Sequence, residues 1–440
     1  MSTDPNIKRQ YFEMLMESQF WSPEQLRDYQ RKQLAQLLRH AKAQSPYYAH
    51  RLDAVLWPSG HVDWDRWGEI PILKRDELLA HYDELTAREI PHGHGPVGET
   101  TTSGTTGQPL RVKSTAISAM ASEATRWRAD AWHSIDWSQT LFIRHGENPQ
   151  AVPPFGFAGG AWGPPWDTRA ALGKSYRLNR KVPPDQLLTY ISRVGATYAA
   201  ILGPKSAHML AVEAQRTGIS LPIRAFFVSG EAPDEADRSI CRDVFGAELI
   251  DLYSCKEGRH IAYRCPTSGK WHVNAENLFI EILDENDQPC APGQQGRVVI
   301  TPFFSTAQPL IRYELGDLAV QGAERCACGR CLPVVDEILG RVSQMFRHPD
   351  GRAISRFFPE SYRLTLDCTS WQFAQVGPRE FEVRYVPKDW QRVGDEGQIA
   401  RAFREWYFDD AQIKFQRLRA IPPAASGKFM EYVNETALSS

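Results

Sequence analysis

TYAAIL (residues 197–202), AFFV (225–228) and ELIDLY (248–253) are three short apolar runs, rich in aromatic and branched side chains and each too short for a helix. Between them lie SAHMLAVEAQRT (206–217) and PDEADRSICRDVF (233–245), where apolar residues recur at helical spacing. Residues 184–195 read as a further helix ahead of the first run. A chain that alternates strand and helix in this way predicts an α/β sheet.

Working outward, residues 114–134 form a helix-like run. Residues 8–50 read as helices with Trp21, Leu26, Leu34, Leu37 and Leu38 spaced for one face. Ser22-Pro23-Glu24 marks a helix start, with proline in the first turn. PPFGFAGGAWGPPW (153–166) is too apolar for a disordered linker and predicts a structured loop within residues 150–168. Residues 271–320 shift to short strands broken by turn signals at Asp284–Pro289, Pro292-Gly293 and Gln295-Gly296, the pattern of a β subdomain. The character changes again at Gly340-Arg341. The tail holds a strand at Phe381–Tyr385, a helix at Glu396–Trp406 and a polar loop at Pro422–Lys428. The expectation is a large α/β N-terminal domain of several subdomains over residues 1–340, followed by a small α+β domain over 341–440.

Composition narrows the function classes. A length of 440 residues is enough for two or three domains, and 42% hydrophobic with 24% charged residues is ordinary for a globular chain. A net charge of -2 gives no general pull toward nucleic acid or an anionic membrane. No apolar run approaches the roughly 20 residues a membrane span needs, and the first residues lack the apolar core of a secretory signal. The expected location is cytoplasmic. There the eight cysteines are free thiols or metal ligands rather than disulfides.

Four segments carry chemistry. Thr101-Thr102-Ser103-Gly104-Thr105-Thr106-Gly107-Gln108-Pro109 combines glycines, which let backbone amides approach an anion, with hydroxyl donors for phosphate oxygens. It lacks the lysine and spacing of a Walker A loop. Asp251-Leu252-Tyr253-Ser254-Cys255-Lys256-Glu257-Gly258 lies at the end of a predicted strand, where α/β sheets gather ligands. Its aromatic suits a base and its carboxylate suits Mg²⁺. Arg312-Tyr313-Glu314-Leu315-Gly316-Asp317 places an acid after a tight turn, fit to accept ribose hydroxyls. Ser426-Gly427-Lys428 puts an ammonium on a loop near the C-terminus. Each segment alone is an ordinary turn; their order is what carries information.

In that order the chain resembles the adenylate-forming enzymes: acyl-CoA synthetases, peptide-synthetase adenylation domains and luciferases. The resemblance is nearest to the phenylacetate-CoA ligase branch and its capsule-biosynthesis homologues, and it runs from about residue 20 to the end. It implies that Thr102, Ser103, Gly104, Thr105, Thr106 and Gly107 wrap the β- and γ-phosphates of ATP. Gly230 and Glu231 would flank the adenine and Tyr253 would pack on it. Glu257 would bind Mg²⁺, Asp317 the ribose, and Arg341 would lie near the ribose and the hinge. Lys428, on a small mobile C-terminal domain, would neutralise charge in the adenylation transition state. Glu257 and Lys428 are then the catalytic pair.

Three departures stand out. Gln108 replaces the lysine often found before the proline. Ser254, Cys255 and Lys256 replace a Gly-x-Thr, so that Lys256 stands where a threonine normally bonds the α-phosphate. Val342-Ser343-Gln344 lacks the acidic hinge residue.

Cys326-Ala327-Cys328-Gly329-Arg330-Cys331 sets three thiols in six residues, and Cys265 with His272 lies upstream. Two such pairs joined by a long loop can close a tetrahedral zinc site. The expected ligands are Cys265, His272, Cys326 and Cys328, with Cys331, His260 and Cys255 in competition. Some members of the phenylacetate-CoA ligase branch carry a similar C-x-C-G-R segment and bind structural zinc.

The expected activity is ATP-dependent activation of a small carboxylic acid, followed by acyl transfer to CoA. The alternatives are transfer to an amine, or a non-catalytic, zinc-stabilised binding protein. Trp127, Trp132, Phe155, Phe157, Trp162 and Trp166 would suit an aromatic or other flat acid, or they are simply core. Nucleic-acid and membrane partners are not expected, and a homodimer is the default assembly.

Overall fold

A computed structural model describes residues 4–101, 109–144, 150–153, 156–167, 171–179, 182–230, 232–341, 345–350, 353–354, 365–422 and 431–436. The chain divides into two compact units. One comprises residues 1–100, 112–315 and 319–338, and the other 101–111, 316–318 and 339–440.

The first unit begins with helices α1 (Pro5–Ser18) and α2 (Pro23–Gln44) and the short α3 (Arg75–Ala80) and α4 (Tyr82–Leu85). The start of α2 is fixed by a capping box: Ser22 accepts from the Gln25 amide, and the Gln25 side chain accepts from the Ser22 amide. Strands β1 (Val97–Thr101) and β2 (Arg111–Thr115) pair, and the chain then enters α5 (Ala116–Trp132).

A 12-stranded sheet follows. Its first part runs β3 (Leu141–Arg144), β4 (Phe157–Ala161), β5 (Lys174–Leu178), α6 (Pro184–Val194), β6 (Tyr198–Leu202), α7 (Pro204–Thr217), β7 (Ala225–Ser229), α8 (Glu235–Phe245) and β8 (Glu248–Cys255). Strands β5, β3, β6, β7 and β8 are parallel neighbours. The alternation read from TYAAIL, AFFV and ELIDLY is therefore the parallel half of the sheet. Leu187, Leu188 and Ile191 of α6 and Leu210 and Ala214 of α7 pack with Phe226 and Val228 in one core, which buries helix stripes against strands apolar on both faces. The stretch 150–168, expected as a loop, holds the edge strand β4 antiparallel to β5. Gly159 and Gly160 hide its strand character, since glycine weakens any strand pattern.

The second part is antiparallel or mixed: β9 (Arg259–Arg264), β10 (Trp271–Val273), β11 (Leu278–Leu283), β12 (Gln295–Pro302), β13 (Tyr313–Gln321) and β14 (Val334–Arg341), in the spatial order β11-β12-β13-β14-β10-β9-β8.

The second unit pairs β15 (Phe346–Arg347) with β16 (Ala353–Ile354). It also contains a four-stranded sheet of β17 (Cys368–Gln375), β18 (Glu380–Pro387), β19 (Gln412–Arg417) and β20 (Tyr432–Asn434), in the order β19-β18-β17-β20. Helix α9 (Glu396–Trp406) packs Ile399 and Phe403 with Phe373, Phe381 and Tyr385. The result is a small α+β body with its own aromatic core. No helix of the described residues is long and apolar enough to cross a membrane.

Candidate active site and metal centre

Strand β8 ends in a tight turn, and the chain returns as β9 with Cys255 opposite Arg259. The Gly258 amide donates to Cys255 Sγ at 3.0 Å, which closes the turn. Glu257, at its centre, is 8% exposed, and the Tyr313 hydroxyl lies 3.5 Å from its Oε1. A carboxylate so nearly buried calls for a counter-charge. Tyr253 is buried edge-to-face against Trp271, with ring centroids 6.4 Å apart. Gly230 follows β7 at φ +92°, a backbone angle glycine alone adopts without strain.

The turn walls a cleft. Lys113 and Ser114 of β2, Ser118 of α5, and Lys256, Glu257 and Arg259 line it together. The segment expected to hold phosphate ends at Gly107, and the strand that follows it in sequence, β2, lines one cavity with the turn after β8. Arg259 is clamped: its Nε donates to Ser118 Oγ at 2.7 Å and its Nη2 to Ser114 Oγ at 2.8 Å. It holds φ +58°, an angle that costs a side-chain-bearing residue on the order of 1 kcal/mol or more. Burial pushes its pKa down. Lys113 Nζ donates to Thr86 Oγ1 at 3.3 Å and lies 5.2 Å from the Tyr82 ring centroid.

In the second unit, Asp317 is 7% exposed and Arg341 Nε lies 3.4 Å from its Oδ1. Ser254 and Lys256 flank the turn, half-buried and exposed respectively. Thr102, Ser103, Gly104, Thr105, Thr106, Gly107, Glu231 and Lys428 lie outside the described residues.

The four expected metal ligands meet. The ligand atoms of Cys265, His272, Cys326 and Cys328 all lie within 4.8 Å of one another. His272 Nε2 is 3.1 Å from Cys328 Sγ, and Cys326 Sγ is 3.9 Å from Cys265 Sγ. A tetrahedral zinc with Zn–S near 2.3 Å separates two sulfurs by about 3.8 Å, so the donor set fits a closed tetrahedral site. Burial pushes His272 down to about 4, which keeps the imidazole neutral and able to ligate. Burial alone would raise Cys265, but hydrogen bonds to Ser268 and its neighbours outweigh it and bring the thiol to about 7. Of the competitors, Cys255 closes the β8 turn and His260 Nδ1 is 2.8 Å from the Ser122 carbonyl, and Cys331 is not among the four residues whose ligand atoms converge.

The aromatic residues pack rather than line the cleft. Trp127 is 1% exposed and stands edge-to-face with Trp166. Trp132 donates to Gln19 Oε1 and abuts His272, and Trp162 donates to the Gln139 carbonyl. Phe157 is exposed on the edge strand, and Phe155 lies outside the described residues. The residues that sequence reasoning missed are Arg259, Lys113, Ser114 and Ser118. The one available signal was the position of Arg259, directly after the Asp251–Gly258 motif.

No protein-family model matches the chain. A phenylacetate-coenzyme A ligase from Thermus thermophilus is 25% identical over 337 residues, covering 73% of this chain and 72% of that one. A 2-hydroxyisobutyryl-CoA ligase, solved in its postadenylation state with an acyl-adenylate, shares the fold at TM-score 0.69 and 17% identity, over 96% of this chain and 94% of that one. An o-succinylbenzoate-CoA synthetase from Bacillus subtilis, solved with ATP and a magnesium ion, matches at TM-score 0.51 and 17% identity, over 76% and 68%. A large sheet-based body, a small α+β body and the motif order together define an AMP-forming ligase of the adenylate-forming superfamily. Within that superfamily its sequence is similar to that of a phenylacetate-CoA ligase.

Proposed function

We propose that the protein uses ATP to convert a small carboxylic acid to its acyl-adenylate with release of pyrophosphate, then transfers the acyl group to CoA. The observation that carries this reading is the single cleft walled by Lys113 and Ser114 on one side and Lys256, Glu257 and Arg259 on the other. It gathers a near-buried carboxylate and several cations where a polyphosphate and an acid would both need neutralising.

The residue roles follow from the chemistry each group offers. Thr102, Ser103, Gly104, Thr105, Thr106 and Gly107 supply amides and hydroxyls to the β- and γ-phosphates. Tyr253 packs on the adenine, next to Gly230 and Glu231, and Asp317 accepts the ribose hydroxyls with Arg341 beside it. Ser254 and Lys256 face the α-phosphate, where the Lys256 ammonium supplies a charge in place of a hydroxyl donor. Glu257 would hold Mg²⁺, whose chemistry is to offset phosphate charge and fix its geometry. Lys428 neutralises the charge shared by the acid carboxylate and the α-phosphate as the carboxylate attacks in line. Positioning and electrostatics carry the rate, and no protein nucleophile is required.

Cys265, His272, Cys326 and Cys328 would hold a structural zinc. Such a site is closed by four protein ligands, leaving no open position for catalysis.

The test is carboxylate-dependent exchange of pyrophosphate into ATP, with AMP release then followed on adding CoA or a panel of amines. Failure of every acid in the panel to support exchange overturns adenylation. Exchange with AMP release stimulated by amines but not by CoA overturns the CoA reading alone.

A further inference from the structure

We infer that the acid this enzyme activates carries a second anionic group, carboxylate or phosphate, which Arg259 binds through the part of its guanidinium that its two serines leave free. The inference rests on the adenylation reading above and names its substrate class.

Arg259 lines two adjoining clefts, the one described and a neighbour formed by α1, α5 and the start of β9. The other cations of that neighbouring cleft have carboxylates: Lys8 pairs with Glu123 at 3.0 Å and Arg126 with Asp130 at 2.8 Å. Arg259 has two serine hydroxyls instead. Among the described residues no aspartate or glutamate lies within ion-pair distance of it, and burial lowers its pKa. A guanidinium offers five donors. Nε and one donor of Nη2 are spent on hydroxyls, which hold the plane still without neutralising it. A half-buried cation tethered by neutral groups is pre-organised for an anion delivered from outside.

The walls near it favour a polar ligand. Ser114, Ser118, Ser122 and Asn277 contribute hydroxyls and an amide, with Phe304 as the aromatic face. Arg259 also keeps its side chain at a left-handed φ. A recognition site built to pair a charge rejects the analogue lacking it far more strongly than an apolar pocket rejects a missing methylene.

The experiment uses matched acids in the exchange assay: glutarate against monomethyl glutarate, terephthalate against 4-methylbenzoate, and 3-phosphoglycerate against glycerate. The expected result is a preference for the dianionic member of at least one pair by about 100-fold in kcat/KM. The same preference is expected to fall toward unity in Arg259→Gln and partway in Ser114→Ala/Ser118→Ala. The terephthalate, glutarate and phosphoglycerate arms separate a second carboxylate from a phosphate. Direct binding of the same acids is measured by calorimetry on wild type and Arg259→Gln, so that the outcome does not depend on turnover.

Exchange with neutral-tailed acids at equal or better efficiency overturns the inference and leaves adenylation standing. So does an Arg259→Gln variant that raises the KM for ATP alike with every acid, because that assigns the guanidinium to nucleotide. If no acid supports exchange, but a dianionic acid binds wild type and not Arg259→Gln, the anion site stands and adenylation falls. If no acid either exchanges or binds, both fall.

Discussion

His272 Nε2 sits 3.1 Å from Cys328 Sγ, although 55 residues separate the two in sequence. The pairing of β10 with β14 places His272 opposite Val334, just past the cysteine loop. Beside it, Arg330 lies 4.6 Å over the Trp132 ring and donates to Gln19, so the cysteine loop is tied to α5 and to the end of α1.

Purified protein is therefore expected to contain about one zinc per chain by elemental analysis. Cys326→Ser or His272→Ala should lose that zinc and lower stability by on the order of 3 kcal/mol, because site formation and local folding are coupled. Metal content and thermal melting check this. A metal-free wild type with an unchanged melting temperature would refute it.

Arg128 and Glu276 form an ion pair at 2.6 Å, with both side chains fully buried. Ser18 also donates to Glu276, and Arg128 Nη2 donates to Asn274. This node joins α1, α5 and the loop after β10, which carries the cleft residue Asn277. Removing one partner leaves an uncompensated buried charge, so Arg128→Met should cost about 3–5 kcal/mol. Adding Glu276→Leu to it should recover much of that loss. Denaturant unfolding of the single and double variants decides: additive losses would show that the pair is not the source of the effect.

The acid limb of stability should depend on His260. Burial pushes its pKa down to about 4. Its folded value lies below its unfolded value near 6.5, so the unfolded state binds more protons between pH 6.5 and 4. Stability is then held above 6.5 and lost as pH falls through that window, by at most about 1.4 kcal/mol per pH unit. His260→Gln should flatten this limb in melting curves taken from pH 7 to 4. A limb of unchanged steepness would assign the acid sensitivity to other groups.

Much of this arrangement was legible because the information is local. Strand, helix and strand between Thr197 and Tyr253 follow from short continuous apolar runs alternating with stretches of helical period, and α9 spans Glu396–Trp406, as its pattern predicts. The convergence of Cys265, His272, Cys326 and Cys328 was legible in part, since few residue types bind zinc, but spacing left Cys331, His260 and Cys255 in competition. Arg259 was not, because its meaning comes from Ser114 and Ser118, roughly 140 residues away in sequence, and from a φ that no composition reveals. The aromatic cluster suggested a flat-acid pocket for the opposite reason. Trp127, Trp132 and Trp162 carry strong apolar signals, yet a sequence does not say whether a large ring faces a cavity or fills one.

Glu257 and Lys428 are expected to act on the adenylation step. Glu257→Gln should slow exchange by about 100-fold or more and raise the Mg²⁺ concentration required. Lys428→Ala should slow it by orders of magnitude while leaving melting unchanged. Titrating Mg²⁺ in the exchange assay separates the two, because only the Glu257 variant should be partly rescued by excess metal. Normal exchange in Lys428→Ala would remove its proposed role.

Gly258 links turn geometry to activity. A Cβ at this position would meet Ile300 Cδ1 at 2.5 Å and Cys255 Sγ at 3.3 Å. Ile300 is fully buried in β12, so its methyl has little room to move aside. Gly258→Ala should therefore push the turn toward the cleft and displace the two side chains that flank it, Glu257 and Arg259. Overpacking of this kind costs about 1–3 kcal/mol, while exchange should fall further, since small errors in position weigh heavily on an in-line attack. The clash falls on a single methyl, and Ile300→Val removes it. The double variant Gly258→Ala/Ile300→Val should regain both stability and exchange relative to Gly258→Ala. If the second substitution adds its own loss instead, the turn is constrained by its backbone rather than by that contact.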